Sequence, residues 1–367
     1  MTNPSTRSGR ARARDIGIPF EGETGKHNAI TDVDGIEVGY STIIEGDSAR
    51  TGVTIIHPRG KSNHDPVFAG WFPFNGNGEM TGATWVEESG FLEGPIGITN
   101  THSIGVVHDT IIQWQVEQDK IFQGWSCPLV TETADGWLND MNGFFVKPHH
   151  VREALENAES GSVKEGNVGG GTGMLCYEFK GGSGTSSRKI PEKLGGWTVG
   201  AFAQTNFGRR YQLTVAGVPV GQHLKDDTVW SNGESPFRQD SGSLIVIIAT
   251  DAPLLPHQLK RLAKRASLGM ARTGSLGGNG SGDIFLAFST ANHRAAYGKG
   301  DGIAEIRSLA NDHIDPLLVA SAYATEEAII NSMVAAEDMT GHKGVSVKAL
   351  PHNDLIKVMK DYNRVSQ

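Results

Sequence analysis

Six consecutive apolar residues, Leu244 to Ala249, constrain the fold of this chain more than any other stretch. A strand with one wet face alternates apolar and polar side chains. The unbroken run Leu-Ile-Val-Ile-Ile-Ala therefore predicts a strand buried on both faces. Upstream, Gly221 to Gly242 carries Lys225, Asp226, Asp227, Asn232, Gly233, Glu234, Ser235, Pro236, Arg238 and Asp240, a composition that resists packing. The Gly242–Ser243 bond stands where loose chain turns into rigid chain.

That junction has a chemical reading. Gly242 has no side chain to shield its carbonyl and can adopt positive φ, so the Ser243 hydroxyl could attack that carbonyl in a strained turn. Hydrolysis of the resulting ester would make Ser243 a new amino terminus. An α-amine titrates near pH ~8, so it can serve as general base for its own hydroxyl. On these residues alone, a Gly-Ser pair that simply opens a core strand stands open beside that reading.

The 367 residues suit one large domain or two ordinary ones. A net charge of −8, with Lys and Arg clustered only at Arg7–Arg14 and Lys260–Arg265, sets aside nucleic acid and anionic membrane as partners. Glycine is unusually frequent, 48 of 367 residues, but it comes in patches, which points to tight turns and close backbone approaches. Cys127 and Cys176 read as buried thiols. The first residues are basic without an apolar core of signal-peptide length, and no window is long and apolar enough for a membrane span, so a cytoplasmic location is expected.

Residues 1–28 read as an extended arm. Two short strands lie within Asp32–Tyr40 and Gly52–His57, and others over Val67–Phe72, from Gly94, over Met174–Phe179, Trp197–Asn206 and Gln212–Val218, and from Ile284. Asp109 caps a helix running to about Asp119 with Ile111, Ile112 and Val116 inward. Helices are also predicted after Lys147-Pro148, from His257 to Ala271 (Leu259, Leu262, Ala263, Ala266 and Met270 inward), from the Asp315 cap to Glu337, and from Asn353 to Tyr362. Strands and helices mix without strict alternation, so sheets covered by helices in one layered body are expected.

Several familiar chemistries are missing. There is no His-Glu-x-x-His and no Cys-x-x-Cys, so a catalytic metal is not expected. Gly169–Gly173 and Gly277–Gly282 fit neither phosphate-binding glycine pattern, no cofactor is implied, and no Gly-x-Ser-x-Gly elbow exists. Ser281-Gly-Asp283 is more informative. Residues two apart in a strand point the same way, so this hydroxyl and carboxylate could orient the Ser243 amine and move a proton, or form a polar turn capping a strand. Asn206 could aim an amide at an oxyanion or serve an ordinary turn. Glu132 is either a counter-ion for a substrate ammonium or a surface charge.

Together the segments GPIGITNTHSIGVVHD (94–109), TETADGWLNDMNG (131–143), VGGGTGM (168–174), QTNFGRR (204–210), SGSLIVIIATDAPLLPHQLKRLAKRASLG (241–269) and GNGSGDIFLAFSTAN (278–292) resemble the DmpA-type family of L-aminopeptidase/D-Ala-esterase-amidases and β-peptidyl aminopeptidases. The resemblance covers nearly the whole chain. It implies an α+β fold, a four-layer αββα sandwich like that of N-terminal-nucleophile hydrolases but differently connected, usually as a homotetramer. It also implies self-cleavage between Gly242 and Ser243, into 1–242 and 243–367, the second of 125 residues (367 − 242). Ser243 would be the nucleophile, Ser281 and Asp283 would support proton transfer, Asn206 would help form the oxyanion hole, and Glu132 would bind the free amine of a small peptide, amide or ester.

Some members carry Glu where Asp283 stands. The D-Ala-active type carries tyrosine at Ala134, and the space left by this alanine suits β-amino substrates. Acyl transfer to another amine, as in the structurally similar ornithine acetyltransferases, is the alternative activity, and an uncleaved, non-enzymatic scaffold the alternative class.

Overall fold

The computed structural model describes residues 10–229, 242–298 and 300–365. Residues 1–9 of the expected arm and residues 230–241 of the polar loop lie outside them. Residues 10–28 contain no helix or strand and are pinned by charge. Arg12 pairs with Glu165 at 2.8 Å, and Arg14 with Glu327 at 2.8 Å.

The chain then forms a hairpin of β1 (Glu37–Glu45) and β2 (Ala49–His57), followed by β3 (Val67–Pro73), α1 (Ala83–Ser89), β4 (Phe91–Leu92) and β5 (Ile96–Asn100). Next come α2 (Ile104–Glu117), β6 (Leu129–Thr133) and α3 (Pro148–Glu156). A small hairpin of β7 (Leu175–Cys176) and β8 (Phe179–Lys180) precedes β9 (Gly182–Lys189) and β10 (Thr198–Asn206). The last part holds β11 (Ser243–Thr250), α4 (Pro256–Arg272), β12 (Gly282–Ser289), α5 (Asp315–Val334), the short pair β13 (Met339–Thr340) and β14 (Ser346–Val347), and α6 (His352–Asp361).

Two sheets result, ordered β1-β2-β5-β6 and β4-β3-β12-β11-β10-β9. Each contains one parallel pair, β5–β6 and β11–β12, and in each the connection carries a helix, because a parallel return cannot be made by a tight turn. Those helices cover the outer faces. Val107, Ile111 and Trp114 of α2, with Val151 and Leu155 of α3, pack on Ile43, Val53, Ile55 and Val130 of the smaller sheet. Leu259, Leu262 and Ala266 of α4, with Ala324 and Ala328 of α5, share a core with the larger sheet. The inner faces meet through Ile56, Ile96, Ile98 and Leu129 on one side and Phe202, Ile245, Ile247, Ile284 and Leu286 on the other.

This is the four-layer αββα sandwich, and β11 explains its unbroken apolar sequence. Leu244, Val246 and Ile248 point to the outer core, whereas Ile245, Ile247 and Ala249 point between the sheets. Helix α5 is apolar nearly all round because it is packed nearly all round. It lies so close to β9 that a Cβ on Gly184 would sit 2.7 Å from the Ser332 nitrogen.

Some elements differ from expectation. Helix α2 starts at Ile104, because the Asn100 side chain accepts from the His102 N–H and begins the turn early. Asp109 is therefore mid-helix, bonded to Gln113 at 2.7 Å, and Val116 is 57% exposed. Tyr177 and Glu178 have φ of 51° and 63°, which breaks 174–179 into two short strands. Residues 212–218 form no strand: Arg210–Gln212 is a 3-10 turn, and Ala216-Gly217, both at positive φ, close a bridge between Val215 and Val218. Helix α5 ends at Val334, and its cap position is Ile314. Cys176 is buried but Cys127 only partly so. Among the described residues no helix is long and apolar enough to cross a membrane.

Candidate active site

Strands β10, β11 and β12 are neighbours, and their register gathers residues far apart in sequence. Asn206 pairs with Ser243 across the antiparallel ladder, and Ser243 pairs with Gly282 across the parallel one. Ser281, Gly282 and Asp283 thus lie beside Ser243 on one flank and Asn206 on the other. Ser243 is 4% exposed and lines a cavity of about 550 Å³ with Gly242, Asn206, Glu132, Ala134, Trp137 and Glu79.

The carbonyl of Gly242 accepts the N–H of Gly282 at 2.9 Å, the rung preceding β11. Its φ lies outside the left-handed region, so the expected positive-φ turn is absent. The chain is already lining up with the sheet there. Glycine is required for space instead: a Cβ would overlap the Asn206 carbonyl oxygen and approach Phe207 Cα to 2.7 Å.

Ser281 and Asp283 do share a face. The Ser281 hydroxyl donates to Asp283 Oδ1 at 2.8 Å, and Asn75 Nδ2 donates to Oδ2 at 2.9 Å, so both carboxylate oxygens are held. Both side chains are buried. The Asn206 amide is oriented at both ends: Oδ1 accepts the Leu175 N–H at 3.0 Å, and Nδ2 donates to the Ala134 carbonyl at 2.9 Å. An amide nitrogen carries two hydrogens, so one remains for a ligand.

Glu132 is 2% exposed, which excludes the surface-charge alternative. The Thr101 hydroxyl donates to its Oε2, and the Glu79 N–H to its Oε1 at 3.2 Å. Burial raises its pKa, opposed by those two hydrogen bonds. Ala134 contributes a small side chain and the carbonyl that orients Asn206.

Sequence reasoning passed over Asn75, Thr101 and Glu79. Asn75 opens the glycine-rich stretch Asn-Gly-Asn-Gly-Glu, and only the antiparallel pairing of β3 with β12 brings it to Asp283. Thr101 reaches Glu132 because β5 and β6 run parallel in register, Asn100 opposite Thr133. No local pattern announces either contact.

The layered fold and this cavity define a serine-type aminopeptidase on a variant of the N-terminal-nucleophile hydrolase fold. The chain belongs to peptidase family S58, whose profile matches residues 28–347. It is 49% identical over 374 residues to the β-peptidyl aminopeptidase BapA of Sphingosinicella microcystinivorans, spanning 97% of this chain and 93% of that one. It is similar in structure to the L-aminopeptidase D-Ala-esterase/amidase from Ochrobactrum anthropi, a prototype for the serine aminopeptidases (TM-score 0.89, 48% identity, 97% of this chain and 99% of the other). A Burkholderia sp. β-aminopeptidase gives a TM-score of 0.87 at 46% identity, covering 96% and 99%. The protein is accordingly a hydrolase with aminopeptidase and amidase activity, and these relatives lend no support to the acyltransferase alternative.

Proposed function

We propose that the chain activates itself by cutting between Gly242 and Ser243 and then works as an N-terminal serine aminopeptidase on small N-terminal residues, with β-amino residues favoured. The observation that carries this reading is the register that sets Asn206, Ser243 and the Ser281–Asp283 pair side by side. In the precursor, Ser243 Oγ attacks the Gly242 carbonyl carbon while the Gly282 N–H holds its oxygen. The C–N bond breaks, the nitrogen takes the hydroxyl proton, and water hydrolyses the ester. Fragments 1–242 and 243–367 result.

In turnover the free Ser243 amine takes the Oγ proton as Oγ attacks the substrate carbonyl, then gives that proton to the leaving amine. The Asn206 Nδ2–H stabilises the oxyanion, and Ser281 and Asp283 orient the amine. Glu132 pairs with the substrate ammonium. Water repeats the sequence on the acyl-enzyme and restores Ser243. The identity to β-peptidyl aminopeptidases and the small Ala134 support the β-amino preference. A homotetramer of cleaved units is the assembly we propose, measurable by analytical ultracentrifugation.

The deciding experiment is intact-mass analysis of wild type beside Ser243→Ala. Two fragments are expected from wild type, the second beginning Ser-Leu-Ile-Val, and one unbroken chain from the variant. Hydrolysis of L-Ala, D-Ala and β-Ala p-nitroanilides then ranks the substrates; a clear D-Ala preference would overturn the assignment of Ala134.

A further inference from the structure

Lys180 is fully buried on β8, opposite Leu175 in the small hairpin. Its Nζ donates to three backbone carbonyls: Met174 at 2.7 Å, Gly181 at 2.8 Å and Gly171 at 3.4 Å. Three acceptors call for three N–H donors, which an ammonium has and a neutral amine lacks. Burial pulls its pKa down to about 7, while Cys176 and Asp135 pull it up. A buried cation held by carbonyls is costly to keep, and folding alone would be served as well by an apolar side chain.

The location of the bond to Met174 gives that cation a use. The Met174 carbonyl and the Leu175 N–H belong to one planar peptide unit. The same unit that receives the Lys180 ammonium on its oxygen presents its N–H to Asn206 Oδ1 at 3.0 Å. The Asn206 amide is planar too, and Asn206 lines the cavity with Ser243, its partner across the ladder. Ammonium, peptide and side-chain amide therefore form one chain of hydrogen bonds with all dipoles pointing the same way. In such a chain each bond polarises the next, and positive charge at one end strengthens the donor at the other.

We propose that Lys180 is a positioning residue for catalysis: through the Met174–Leu175 peptide its ammonium fixes the Asn206 amide and strengthens its remaining N–H toward the oxyanion formed at Ser243. This rests on the acyl-enzyme reading above. Lys180 does not line the cavity, so its effect falls on the transition state and not on the binding of substrate.

The test compares Lys180→Met, Asn206→Ala and the double variant, each checked by intact mass so that processed enzyme is compared, with β-Ala p-nitroanilide as substrate. Losing one oxyanion donor outright typically lowers kcat by about 10²–10³. Lys180→Met is expected to lower kcat about 10- to 100-fold, leave KM within about twofold, and cause no further loss when Asn206 is already alanine. An unchanged kcat, or the same fold-loss in both backgrounds, would overturn the proposal. If Asn206→Ala alone leaves kcat unchanged, the oxyanion reading itself fails, whatever Lys180→Met does. Should the methionine variant fail to fold, Lys180→Gln keeps two donors without the charge and is expected to lie between it and wild type. Failure of both to fold would assign the ammonium to folding alone and end the argument.

Discussion

Gly242→Ala tests the self-cleavage geometry with one methyl group. The added Cβ would lie 2.7 Å from Phe207 Cα and overlap the Asn206 carbonyl oxygen. Carbon atoms in ordinary contact are about 3.5–4.0 Å apart, so the Gly242 backbone has to retreat by about 1 Å. Its neighbours cannot yield instead, because Asn206 and Phe207 are backbone of the adjoining strand and its continuation, and β10 is buried along its whole length. A retreat of that size, away from β10 and toward β12, shifts the Gly242 carbonyl out of the position in which it accepts the Gly282 N–H. Misplacing reacting atoms by about 1 Å costs on the order of 10²-fold in rate, equivalent to about 2.7 kcal/mol of barrier. The assay is a time course of intact-chain mass after rapid purification, with circular dichroism to establish that the variant is folded. Processing of Gly242→Ala at the wild-type rate would show that the carbonyl does not need the position it occupies, and the argument would fall.

Glu132→Gln is expected to lower kcat/KM for amine-bearing substrates by about 10- to 100-fold, the worth of a charge-assisted hydrogen bond, while an ester without the amine is unaffected. Because burial raises the Glu132 pKa, its protonation should add a second fall in kcat/KM on the acid side, above pH 4.5 and below the fall set by protonation of the Ser243 amine; the glutamine variant should lose the Glu132 fall and keep that of the amine. Asp283→Asn keeps the shape of the Ser281 contact and removes the charge, so kcat should fall about 10²-fold or more with KM little changed; a normal kcat would remove Asp283 from proton transfer. Burial alone would raise the Glu327 pKa, but Arg188 and Arg14 hold it down at about 2. A depressed carboxyl contributes stability above its unfolded pKa and loses it as pH falls through the folded one, so the melting temperature should drop between pH 4.5 and 2. Glu327→Gln should flatten that limb and destabilise the neutral protein by about 3–5 kcal/mol, since two guanidinium groups lose their partner.

What could be read from the residues alone follows their physics. Leu244–Ala249 announced a doubly covered strand because burial on both faces leaves no polar position, and the α4 stripe was legible at helical spacing. Residues 212–218 misled because alternating apolar residues serve a buried tight turn as well as a strand; Ala216 at φ 47° carries no sequence signal. The start of α2 was misplaced because Asp109 is an acceptable cap, while the turn leading into the helix, Thr101–Ser103, is capped by Asn100, at the end of a strand. Within the site, Ser281–Asp283 could be read from a two-residue spacing. Asn75, Thr101 and Leu175 could not, since each acts across a ladder or a loop contact that depends on the assembled sheets.

On the proposed reading, the placement of the serine at the very start of β11 lets one arrangement serve two reactions. From Leu244 to Ala249 the strand is fully buried, so drawing it from the sheet would expose six apolar side chains. At roughly 1.5–3 kcal/mol for each large one, that is on the order of 10 kcal/mol, an upper figure that still exceeds what the single Gly242–Ser243 peptide bond contributes. With the proposed cut, β10 would belong to the first fragment and β12 to the second, so β11 would be held between a neighbour it is cut from and one it remains joined to. Cutting one residue later would place the new amine inside that core, where burial penalises its charged form. Ser243 is paired on both sides and lines the cavity, so on the proposed reading the residue that severs the chain is already placed for the substrate.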